Sequence, residues 1–101
     1  MTPSDTELQR AIVELLGRRS PAATICPSEV ARLMADAAEW RALMPRVREQ
    51  AGLLAAQQRL RITRRGATIE PAELHRGAIR LGRGPRFDDP RASAGDSASG
   101  D

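Results

Sequence analysis

A chain of 101 residues with 16 basic side chains, every one of them Arg, against 13 acidic ones folds as one domain at most. One Trp, one Phe and no Tyr leave too few aromatic faces for stacking single-stranded bases, and one Cys with one His exclude an internal disulfide and argue against a zinc site. No apolar run opens the chain and none approaches the roughly 20 residues of a membrane span, so neither a signal peptide nor a cofactor is expected and the expected location is the cytoplasm.

Ser4 followed by Glu7 is a capping-box pattern, in which hydroxyl and carboxylate satisfy each other's orphan amides. Leu8, Ala11, Ile12, Leu15 and Leu16 then recur at helical spacing until Gly17 and the Arg18-Arg19-Ser20-Pro21 run, which predicts a helix over about 5–18. Thr24 and Ile25 are β-branched and read as a very short first strand. Pro27 fits the first turn of a second helix, where its missing amide costs nothing. Val30, Leu33 and Met34 supply that helix's apolar face, and it is predicted to run to about Ala35.

Asp36 can cap the next helix, with Glu39 in its first turn. Downstream, Trp40, Leu43, Met44, Val47, Ala51 and Leu54 fall on one helical stripe about 100° wide. The stripe runs through Pro45, and an interior proline breaks or kinks a helix. The expectation is a short helix over Glu39–Leu43 and a main helix from Pro45 to about Gln57, with a single kinked helix as the alternative.

After Gln58 the period changes to two. Leu60 and Ile62 alternate with Arg59, Arg61 and Thr63, Arg65-Gly66 is a turn signal, and Ala67–Glu70 reads as a return strand before Pro71, so a β-hairpin is predicted. Ala78-Ile79-Arg80-Leu81 predicts a last short strand or a strap across the core. Residues 83–101 are almost all Gly, Pro, Ser, Ala, Asp and Arg, with Phe87 the only large apolar side chain. That composition predicts a disordered tail, because it buries too little surface to offset the entropy of ordering, and leaves a domain over residues 1–82.

Helix, short strand, helix, helix, hairpin is the order of a winged helix-turn-helix: α+β, mainly helical, with three helices (one short) and a hairpin wing. Two stretches, Ile25-Cys26-Pro27-Ser28-Glu29-Val30-Ala31-Arg32 and Trp40-Arg41-Ala42-Leu43-Met44-Pro45-Arg46-Val47-Arg48, carry a more specific likeness. With Ile62-Thr63-Arg64-Arg65-Gly66 and Arg76-Gly77-Ala78-Ile79-Arg80-Leu81, they resemble a bacterial family of domains of unknown function over roughly residues 7–82. The resemblance implies a small stand-alone protein similar to a winged helix and implies no activity. Gly77-Ala78 departs from the Gly-Pro that the family tends to place before the last strand.

In a winged helix the third helix faces the DNA major groove and the hairpin tip reaches the neighbouring backbone. Residues 41–65 hold seven Arg against Glu49 alone, a local footprint suited to a polyanion. The candidate nucleic-acid contacts are Arg41, Arg46, Arg48 and Gln50 on the third helix and Arg61, Arg64 and Arg65 on the hairpin, with Gly66 permitting the positive φ of a tight tip. The blander readings are a charged edge strand that discourages sheet-to-sheet association and arginines filling solvated positions. Trp40 reads as a core anchor and Cys26 as a buried structural thiol, and His75 has no partner in sequence that would make it a base.

The leading expectation is therefore a DNA-binding winged helix, possessing no cofactor, that acts as a small regulator on double-stranded DNA. The alternative is a protein-interaction winged helix, in a complex or a homodimer. It is motivated by Glu49 and the small residues Gly52 and Ala56 on the outward face of the third helix, and by Leu53, which either contacts a partner or packs on the hairpin. No enzyme is expected, since no nucleophile–base pair, metal cluster or phosphate-cradling glycine loop is present.

Overall fold

The computed structural model describes residues 2–70 and 77–89. His75 and residues 90–101, which hold most of the expected tail, lie outside the described residues. The elements run α1 (Asp5–Gly17), β1 (Thr24–Ile25), α2 (Pro27–Met34), α3 (Trp40–Ala56), β2 (Leu60–Arg64), β3 (Ala67–Thr68) and β4 (Arg80–Arg83). Three helices and one antiparallel sheet make a mainly helical α+β fold with a winged-helix-like layout.

Local chemistry accounts for most boundaries. The Ser4 hydroxyl accepts from the Glu7 amide at 3.1 Å while Glu7 Oε1 accepts from the Ser4 amide at 2.7 Å, closing the capping box of α1. Pro27 opens α2, and Glu29 reaches back to accept from the Cys26 amide at 2.8 Å. Asp36 Oδ1 accepts from the amides of Ala38 and Glu39 at 3.0 Å, ordering the turn that feeds α3.

The third helix is one continuous element through Pro45, so the two-helix expectation is corrected in favour of its alternative. Pro45 removes a single hydrogen bond, the one to the Arg41 carbonyl. Both residues are exposed, on the side of the helix where a carbonyl can turn to solvent. Meanwhile Leu43, Val47, Ala51 and Leu54 are buried along one stripe on both sides of the proline. Burying such side chains contributes roughly 1.5–3 kcal/mol each, enough to hold the turns in line.

The sheet order is β1-β4-β2-β3, all antiparallel. Ile25, Leu81 and Ile62 share its inner face and pack, with Ile79 and Leu60, on Leu8, Ile12, Leu16, Val30 and Val47. The last strand therefore lies between β1 and β2, joining the short first strand to the hairpin.

Residues 83–89, from the start of the expected tail, are among the described residues. Arg83 ends β4, and pairing with Leu60 turns it to the inner face. There its guanidinium donates to the carbonyls of Leu16 and Arg19, both at 3.1 Å, which supplies the cation that the last turn of α1 lacks. The same group lies 4.7 Å from the Phe87 ring centre and pairs with Asp89 at 3.4 Å. Phe87, a lone apolar side chain in a polar stretch, packs against the core. An apolar anchor and a half-buried ion pair tie residues 83–89 to the core and to β4.

Candidate nucleic-acid interface

The hairpin loop has only two residues, Arg65 and Gly66, between the paired Arg64 and Ala67. Their φ values of 53° and 84° are those of a type I′ turn, which matches the twist of the flanking strands. Gly66 adopts its value freely, whereas Arg65 does so against its own Cβ. Gly66 thus lies in the hairpin turn. Arg65 stands exposed at the tip and Arg61 exposed on the outer face of the sheet. Neither guanidinium makes a hydrogen bond or ion pair among the described residues. Arg64 is half-buried and turns toward the last loop, its Nε 3.9 Å from where a Cβ on Gly77 would stand.

Helix α3 distributes its candidates differently. Arg46 pairs with Asp5 of α1 at 2.7 Å, and Arg48 donates to the Gly77 carbonyl at 2.9 Å. Gln50 is corrected: it is 2% exposed, and its side-chain oxygen accepts from Gln9 Nε2 at 2.7 Å, so it is not placed to read a base. The apolar stripe is wider than its hydrophobic members suggest, because α1 offers an amide that satisfies a buried polar group. Gly52 is also buried, so the outward face is covered at that point. Glu49 is exposed in the middle of the face, and Leu53 is 49% exposed.

Arg41 is exposed at the first turn of α3, its guanidinium 4.7 Å from the Trp40 ring centre. Arg32, from the last turn of α2, lies 4.3 Å from the same ring. Trp40 itself is half-buried against the core, as an anchor should be. Two residues near the sheet and the turn were not singled out from sequence. Arg80 donates to the hydroxyl and the carbonyl of Thr24, each at 3.0 Å, bracing β1 on β4. Arg32 sits eight positions before Trp40, a spacing with no meaning until the turn between the helices is known.

The perturbed titrations are structural. Glu7 is held below the ordinary carboxylate value by the Ser4 amide and then the Ser4 hydroxyl. Glu29 is lowered mainly by the Cys26 amide and further by Arg19, which it meets at 2.9 Å. Both are cap interactions, and neither lies among the exposed arginines. Cys26 is a half-buried free thiol that accepts from the Ser28 hydroxyl at 3.1 Å.

Fold and surface together define a small winged-helix-like domain with exposed arginines on its hairpin and at its helix–turn–helix corner. The chain belongs to the family described as protein of unknown function (DUF3253), whose model matches residues 5–84. No curated protein matches it.

Proposed function

We propose that this protein binds double-stranded DNA, as a small bacterial regulator working in the cytoplasm, and that its hairpin carries the main contact with backbone phosphates. The observation that carries this reading is the pair Arg61 and Arg65, exposed and uncommitted among the described residues, on a hairpin whose two-residue turn projects them. Exposed guanidiniums on a rigid strand and tip match the spaced negative charge of a duplex. Arg46 and Arg48 are engaged within the domain, so α3 contributes less base readout than its arginine content implies. Glu49 at the centre of that helix repels phosphates. The reading is thus of a backbone-reading domain with modest sequence discrimination.

The test is fluorescence anisotropy with a labelled mixed-sequence duplex at several salt concentrations. Affinity should fall as salt rises, by about 0.9 in log K per log salt for each phosphate contact, and Arg61→Ala/Arg65→Ala should flatten the slope by about 1.8. No binding at low salt overturns the proposal.

A second reading rests on Leu53 and Leu33, which are 49% and 56% exposed. It makes this a protein-interaction module or homodimer without DNA contact. A concentration-dependent dimer in sedimentation, lost on Leu53→Glu, would favour it.

A further inference from the structure

Arg32 and Arg41 come from different helices and share one indole. Their guanidinium carbons lie 4.3 and 4.7 Å from the Trp40 ring centre, hence less than twice the longer distance apart. Stacking on an aromatic face is worth about 0.5–1 kcal/mol at an exposed site. It uses the flat face of each guanidinium and leaves the in-plane N–H donors available. Both arginines are exposed, and neither guanidinium makes a hydrogen bond or ion pair among the described residues.

Two like charges gathered on one ring repel, so a ring that retains both prepares a place for an anion. Asp36 borders the depression beside Arg32 and Trp40, together with Ala35 and Ala37; its Oδ1 accepts from the amides of Ala38 and Glu39, and the two guanidiniums on the ring outnumber its one negative charge. The ring is fixed in turn, since Trp40 packs on the core and its amide donates to the Asp36 carbonyl at 3.1 Å. The corner between α2 and α3 therefore presents two oriented cations on a rigid mount.

We infer that Arg32 and Arg41, stacked on Trp40, form a clamp for neighbouring phosphates on one strand of duplex DNA. The inference rests on the DNA-binding reading and adds a contact on α2 and α3 to that of the hairpin. Neighbouring phosphates on one strand are set apart around the helix as well as along its axis, a span that two guanidiniums less than twice 4.7 Å apart can each meet at one end. The clamp orients the domain on the backbone without reading bases. Trp40 acts as a positioning residue, because it pre-pays the ordering of two flexible side chains.

The experiment uses the chain's own reporter. Trp40 is the only Trp and there is no Tyr, so intrinsic emission comes from this corner alone. The full chain is titrated with a mixed-sequence duplex while labelled-duplex anisotropy follows binding separately. The clamp requires a change in Trp40 emission that saturates with the anisotropy, and a salt slope flatter by about 1.8 in Arg32→Ala/Arg41→Ala. Binding that leaves Trp40 emission and the double-variant slope unchanged, yet weakens in Arg61→Ala/Arg65→Ala, overturns the clamp and keeps the hairpin reading. Absence of binding at low salt overturns both. The substitutions are at exposed positions, and circular dichroism verifies that the double variant is folded.

Discussion

The side-chain amide of Gln9 donates to Gln50 Oε1 at 2.7 Å, joining α1 to α3 across 41 positions of sequence. A buried acceptor left without its donor costs roughly 1–3 kcal/mol. Gln9→Ala should therefore lower the free energy of unfolding by that amount in a denaturant titration. Gln50→Leu in the Gln9→Ala background should restore part of it. Because Gln50 is inside, neither change should alter the salt slope for DNA, whereas a base-reading glutamine would lose sequence preference.

Helix α3 ends on a residue suited to glycine. Gln58 has φ 63°, its amide donates to the Ala55 carbonyl, and the next amide, of Arg59, donates to Leu54 at 2.9 Å, a Schellman arrangement. A side chain in that conformation costs about 1–2 kcal/mol, part of which glycine returns through its freer unfolded chain. Gln58→Gly should raise stability by about 0.5–1 kcal/mol, seen as a higher melting temperature.

Gly84 packs where a methyl group cannot. A Cβ there would run into the Gln58 carbonyl oxygen and stand 2.8 Å from that of Leu60. Both obstacles are backbone, and the Gly84 amide already donates to Arg59 at 3.1 Å. Gly84→Ala should destabilise the domain by about 1–3 kcal/mol and, measured by hydrogen exchange, should loosen the Arg83–Asp89 segment. An equal loss of protection throughout would instead show that the segment unfolds only with the whole domain.

The caps make stability depend on acid. Glu7 and Glu29 both titrate below their ordinary value of 4.5 when folded. Their contribution is complete above that unfolded value and is lost as pH falls through the lower folded one. The melting temperature should fall as pH drops below about 4.5. In Glu29→Gln the neutral-pH value should be lower and the acid-side fall shallower. An unchanged acid limb would show that the Cys26 amide and Arg19 contribute nothing net.

The local periods and caps were legible in the chain itself. Ser4 with Glu7, Pro27 at a helix start, the alternation of Leu60 and Ile62, and Arg65-Gly66 each express a preference that a residue satisfies with neighbours a few positions away. They sufficed for three helices, a short first strand and a hairpin in the right order. Of the candidate surface, the hairpin arginines were equally readable, since alternation puts Arg61 outside and a two-residue turn puts Arg65 at its tip.

What the sequence could not express were pairings between distant residues. Whether Pro45 breaks a helix depends on how much apolar surface lies buried on either side of it. Whether Gln50 faces solvent depends on an amide supplied by Gln9, and whether Arg46 is available to a ligand depends on Asp5. Phe87 and Arg83 become ordered because α1 ends beside them, and Arg32 meets Arg41 because the turn at Asp36 brings two helices to one indole. By itself the sequence determined which segments are helix or strand, because those choices are made over a few residues. Only the tertiary structure decided which polar side chains are spent on the fold and which remain for a partner, because that choice is made by whatever packs opposite.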